Sequence, residues 1–273
     1  MLIRATRLGF VPLSLALLVL SASPSATQSA QPAAPSAAVA CSLTWVGQEE
    51  AIETYMATTN VVKMEAVPIG VTKPQRAVFE PGGLVRRAAW KPLAPSYRSG
   101  FRESYKAEIA AYKLDRLLEL HMVPPVIERK MSRITGALVY WIENTKPWDV
   151  KNPPTSTDPE WSRRVSRMRL FDQLVLNIDR NAGNLLYDDD WHLFLIDHSR
   201  AFTERKEIKG PAVPARIDRE LWNRIEALTP EQWQEALGAW LSKGELTALL
   251  ARRDRIREQI KAMVAARGES AFF

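Results

Sequence analysis

Residues 177–202, NIDRNAGNLLYDDDWHLFLIDHSRAF, constrain the fold more than any other stretch of the chain. Asp179, Arg180, Asn181 and Asn184 crowd into one short loop, and Asp197 follows directly on the apolar run LFLI. NLLY and HLFLID flank the turn DDDW, the pattern of a β-hairpin. Upstream, PEWSRRVSRMRLFDQLVLNI places Trp161, Val165, Met168, Phe171, Val175 and Ile178 at steps of three and four, so a helix with one buried and one basic face leads into the loop. Short polar side chains gathered on a loop and at a strand end mark a site, because a core alone has no use for them.

The rest of the chain supplies a frame for that loop. A short helix is expected near residues 48–57, and NVVKMEAVPIGVTKPQRAVFE, interrupted by Gly70 and Pro74, reads as a hairpin. After the turn PGG, LVRRAAWKPL reads as a third strand. In SGFRESYKAEIAAYKLDRLLELHMVPP, Ser99 or Ser104 caps a helix that Pro124 and Pro125 stop. VIERK and GALVYWIE then form two more strands. The C-terminal segments DRELWNRIEAL, PEQWQEALGAWL and KGELTALLARRDRIREQIKAMVAA are helical, punctuated by Pro230 and Gly244. A small β-rich part thus precedes a larger α-rich part, and the chain is α+β.

The N-terminus reads differently. Arg4 and Arg7 precede an uncharged apolar run, residues 8–20, which is shorter than the roughly 20 residues of a membrane-spanning helix and suits a secretory signal. We expect a signal peptide over residues 1–30, an Ala/Pro/Ser spacer over 31–47 that cannot build a core, and export to the periplasm or beyond, with no transmembrane segment in the mature chain. Cys41 is the single cysteine, so no intrachain disulfide forms, and it stands too far from the apolar run to serve as a lipid anchor. The net charge of +6 includes Arg4 and Arg7 and lacks the concentrated basic stripe that nucleic-acid binding calls for.

In this order of elements the chain resembles the protein kinase-like fold. The kinase catalytic loop places its metal-binding Asn five positions after the catalytic Asp, as Asn184 follows Asp179, and a second metal-binding Asp closes the next hairpin, as Asp197 does. NIDRNAGNLL, LIDHSRAF and EIAAYKLDRLLELHMVPPV are similar to the atypical branch that holds phosphatidylinositol 3- and 4-kinases, HipA-type bacterial kinases and Golgi secretory-pathway kinases. The resemblance implies two lobes, a small β-rich one over residues 48–145 and a larger α-helical one over 146–273, with the chain a bacterial exported member. It implies ATP and Mg²⁺ as cofactors, with Asn184 and Asp197 holding the metal and Asp179 orienting the acceptor hydroxyl. Lys91 of RAAWK would hold the nucleotide phosphates with Glu108 as its ion-pair partner, and Gly70, Lys73 and Arg76 would belong to the loop over the phosphates.

The chain departs from the ordinary protein kinases in lacking G-x-G-x-x-G and A-P-E, and only about a dozen residues separate Phe202 from the next helix, too few for their peptide-docking segment. The expected activity is phosphotransfer to a protein, lipid or small-molecule hydroxyl. The alternative is a pseudokinase that binds a ligand or partner in the same cleft without turnover. Asp188–Asp190 read as a turn, His121 and His192 as structural, Arg163, Arg164, Arg167 and Arg169 as a solvated helix face or else a patch for an anionic partner, and Trp141 as either core or an adenine contact. His198, the next residue after Asp197 along a strand, points to the opposite face, so His198 and Ser199 do not form a hydrolase triad with Asp197.

Overall fold

The computed structural model describes residues 45–67, 75–98, 100–207 and 213–273, all within the unit Ala40–Phe273. The expected signal, nearly all of the spacer, Cys41, Gly70, Lys73 and Ser99 lie outside the described residues. The element order is α1 (Glu49–Thr58), β1 (Val61–Ala66), β2 (Gln75–Phe79), β3 (Arg87–Lys91), β4 (Ser96–Arg98), β5 (Phe101–Glu103), α2 (Tyr105–Leu117), β6 (Val126–Met131) and β7 (Ile134–Tyr140). There follow β8 (Lys146–Pro147), α3 (Pro159–Val175), β9 (Leu185–Tyr187), β10 (Leu193–Leu195), α4 (Arg219–Ala227), α5 (Pro230–Leu237) and α6 (Lys243–Arg267). No helix among the described residues is long and apolar enough to cross a membrane.

The α+β architecture is as expected, a β-sheet part followed by a helical part. The main sheet runs β1-β2-β3-β7-β6, antiparallel throughout. Alternation along β3 decides what each face of the sheet does. Ala88 and Trp90 point into a cluster with Ile52 and Met56 of α1, Phe79, Leu138 and Phe194. Ala89 and Lys91 take the other face, where Ala137 and Val139 of β7 pack toward α2. Burying Ile52 and Met56 contributes about 2 kcal/mol each, which holds α1 against the back of the sheet and leaves the front for the site.

Three details differ from the sequence reading. A small ribbon of β4 and β5 precedes α2, and β8 adds a third strand to the β9–β10 hairpin; both are too short to show an alternating pattern. α3 ends at Val175, before Ile178, because Leu176 takes a left-handed conformation at φ 51° and turns the chain into the loop. The basic face of α3 is also largely paired. Arg163 and Arg167 reach the fully buried Asp218 that caps α4, and Arg164 reaches Asp158 and the Trp191 carbonyl, leaving only Arg169 of the four exposed.

α2 is fixed at both ends. Ser104 caps it by accepting from the Lys106 amide. At the other end the buried Asp115 carboxylate accepts the amides of Met122 and Val123 at 2.9 and 2.8 Å. Burial pushes the Asp115 carboxyl up to about 7 despite these bonds. The native state then binds a proton that the unfolded chain has released between about pH 4 and the folded value, so this contribution to stability is complete at low pH and is lost as the pH rises to about 7. Asp115→Asn keeps the acceptor oxygen without the charge. Its unfolding free energy, measured in denaturant against the parent, is expected to gain on the parent by up to about 1.4 kcal/mol per pH unit across that window and to level off above it; a constant difference at every pH contradicts the burial argument.

Candidate active site

Lys91 closes β3 on the open face of the sheet, and its Nζ lies 2.7 Å from Glu108 Oε1 and 2.9 Å from Asp197 Oδ1. Glu108 sits one turn into α2 with its side chain 2% exposed. Its second oxygen accepts the His198 amide at 3.0 Å, so α2 is tied to the segment after β10. Burial works to lower the Lys91 pKa, but the two carboxylates outweigh it and raise the pKa above the ordinary lysine value. Lys91 in turn holds the Asp197 carboxyl well below the usual carboxylate range, whereas burial pushes Glu108 upward. The cluster thus carries one cation shared by two acids, with Lys91 and Glu108 withdrawn from water and Asp197 partly open to it.

The loop that delivers Asp197 is rigid for identifiable reasons. Asp197 adopts φ 60°, a left-handed conformation that Asp tolerates better than most residues, and so turns sharply out of β10. Arg180 is the brace: it donates to Asp172 through two nitrogens at 2.8 and 3.0 Å, and to the carbonyls of Asn184 and Ile196 at 2.7 Å each. It also donates to His198 Nε2 at 2.8 Å. That bond needs an unprotonated Nε2, and burial together with Arg180 and Lys91 keeps the His198 pKa well below its ordinary value.

Asp179 and Asn184 meet in the same loop. The Asn184 amide nitrogen donates to the Asp179 carbonyl at 3.1 Å, which directs its side-chain oxygen the opposite way. Asp197 Oδ1 takes both Lys91 and the Ser199 hydroxyl. The available donors are therefore an amide oxygen and an ionised carboxylate, hard oxygen ligands of the kind that magnesium or manganese accepts and zinc sites seldom rely on. Asp179 itself is more open, its side chain 40% exposed, and it lies 3.3 Å from Arg200.

Of the residues singled out from sequence, the structure brings Lys91, Glu108 and Asp197 into direct contact and joins Asp179 to Asn184; Gly70 and Lys73 fall outside the described residues. Arg76 lies on the same sheet face as Lys91 but is engaged by Glu65 at 2.7 Å and stacks on Trp141. Trp141 is flanked by the guanidinium groups of Arg76 and Arg87, whose centres are 5.1 and 5.5 Å from its ring.

No protein-family model matches the chain, and no curated protein does. Solved structures match over most of its length. Hydra Fam20 with sugar superposes with a TM-score of 0.64 at 14% identity, covering 83% of this chain and 92% of that one. The Golgi casein kinase with Mn/ADP bound gives 0.61 at 14% identity, covering 82% and 78%. The fold is an atypical kinase-like fold. Within it, sequence reasoning missed Asp172, His198, Glu103 and Arg200 as members of the site. Arg180 signals a need for an acidic partner, but Asp172 lies on α3, eight positions earlier, with nothing to distinguish it from surface acids. Glu103 lies in a ribbon that had no sequence signature at all.

The kinase-like sheet also depends on Gly136 in β7. A Cβ there would come within 2.7 Å of the Lys91 carbonyl oxygen and of Pro92 Cα, backbone atoms that cannot swing aside. Gly136→Ala is expected to cost about 1–3 kcal/mol in chemical unfolding, by pushing the end of β3 and with it Lys91; a variant as stable as the parent contradicts this packing.

Proposed function

We propose that the chain is a phosphotransferase that moves the terminal phosphoryl group of ATP, with Mg²⁺, to a hydroxyl of a protein, lipid or small molecule. The observation that carries this reading is Lys91 shared between Glu108 and Asp197, beside a loop that presents Asp179 and Asn184. A cation held in place by two acids is suited to receive phosphate oxygens without moving, and phosphoryl transfer is governed by positioning and charge neutralisation more than by covalent chemistry. Asn184 and Asp197 would hold the divalent ion, which when bound neutralises charge on the phosphates. Asp179, half-open next to them, would take or orient the proton of the acceptor hydroxyl. The similarity to a structure solved with Mn/ADP supports nucleotide and divalent metal as the ligand class.

The acceptor belongs to an exported setting if the segment over residues 4–20 acts as a secretory signal, which mass spectrometry of the mature N-terminus tests. A second reading, a pseudokinase that binds without turnover, draws on the ion pair between Asp179 and Arg200, which already engages the group assigned to the acceptor.

Turnover separates the two. Purified chain incubated with labelled ATP and Mg²⁺ is expected to transfer label to protein, lipid or small-molecule acceptors. Asp179→Asn, similar in volume, is expected to keep nucleotide affinity while slowing transfer by about 10²–10⁴. Asp197→Asn is expected to weaken Mg²⁺-dependent binding in calorimetry, because it removes charge from the ion's ligand set. Binding without any transfer in the parent sinks the enzyme reading in favour of the pseudokinase.

A further inference from the structure

We propose that Arg200 is a positioning residue that aims Asp179, a role that rests on the phosphotransferase reading and adds to it a residue outside the nucleotide and metal set. Its guanidinium is held on three sides. Nε and Nη2 both donate to Glu103 Oε1, at 2.8 and 2.7 Å, and the group lies over the Phe101 ring at 4.6 Å. The third nitrogen, Nη1, faces Asp179 Oδ2 at 3.3 Å.

Glu103 is nearly fully buried, its side chain 4% exposed, so it is a fixed anchor and not a mobile surface acid. The anchor is itself pinned. Its neighbour Ser104 donates its amide to the Ser199 carbonyl at 2.9 Å, and Arg102 binds Glu245 of α6 at 2.7 Å. A planar fork with one side locked on a buried carboxylate can present its remaining nitrogen in only a narrow range of directions. Engaging Oδ2 in this way leaves Oδ1 of Asp179 to the acceptor hydroxyl. Orientation of that kind carries a large share of rate, since small misplacements of a reacting group cost about a hundredfold.

The test uses the full chain, ATP and Mg²⁺, with ADP release and label transfer as readouts. Arg200→Met is expected to lower kcat by about ten- to a hundredfold and leave KM for ATP within about twofold. Arg200→Lys, which keeps the charge but not the fork, falls between. In an Asp179→Asn background, Arg200→Met is expected to slow the reaction no further, because the group it aims is already disabled. Equal falls in both backgrounds, or an unchanged kcat, overturn the assignment and leave Arg200 a structural side chain. If Arg200→Met does not melt cooperatively, Glu103→Gln loosens the other end of the same contact and is expected to show a smaller fall, again absent in the Asp179→Asn background. A parent that transfers nothing overturns the phosphotransferase reading first, before any variant is compared, so the two failures are told apart.

Discussion

The ammonium group of Lys91 between two carboxylates is the contact on which the rest of the site depends. Each partner comes from a different element: Lys91 from the end of β3, Glu108 from α2, Asp197 from the turn after β10. None of the three is stable alone at that depth, since an isolated buried charge costs several kcal/mol and removing one member of a buried pair strands the other. The sheet, the helix and the hairpin are therefore held in one arrangement by the need of these groups for each other. Only one of them, Asp197, retains appreciable exposure, with 35% of its side chain open, which is the side from which a ligand can approach.

Much of this was legible in the sequence, and particular residues show why. The loop at Asp179 and Asn184 and the acid at Asp197 could be read because they are close in sequence and their spacing is fixed by a turn and a hairpin. Lys91 and Glu108 could be placed only through the order of strands and helix, since they stand 17 positions apart with no pattern between them that demands contact. Arg200 stood in plain sight three residues after Asp197, yet its partner Glu103 is 97 positions away on a ribbon of three-residue strands. Elements that short have no periodicity to detect. The basic face of α3 was misjudged for a related reason: its acceptors, Asp218 and the Trp191 carbonyl, come from segments whose approach only the tertiary structure reveals.

The polar network is arranged so that positive charge alternates with negative. Arg180 lies against Asp172, Lys91 against Glu108 and Asp197, Arg200 against Glu103 and Asp179. His198 sits among them without charge, its backbone amide donating to Glu108 and its Nε2 accepting from Arg180. A protonated imidazole there would be a buried charge facing two cations, which outweighs the opposing pull of Asp197 and keeps the ring neutral. Its Nδ1, the ring nitrogen that then carries the hydrogen, is buried with no hydrogen-bond partner and lies 4.0 Å from Glu108. That cost is accepted where the same side chain also packs edge-on against Phe171 and closes the space between α3 and the hairpin.

Beyond Asp197 the chain is held by a different device. Arg252 of α6 is fully buried, and the acceptors of its hydrogen bonds are backbone carbonyls: Leu174 at the end of α3, and Thr203 and Arg205 in the segment that follows the site. Burial pulls its pKa down to about 10, still far enough above neutrality to keep the charge. Three carbonyl dipoles facing one cation hold it by charge-assisted hydrogen bonds, and the cation in turn ties the two backbone segments together. Because Phe202 also gives its amide to the Val175 carbonyl, the segment leaving the site is tied to the last turn of α3 directly at Phe202 and through Arg252 at Thr203 and Arg205. The position of Asp197 is thus set from both directions along the chain, by Arg180 before it and by Arg252 after it, which is what a carboxylate needs if it is to keep one orientation toward a ligand while remaining partly open to solvent.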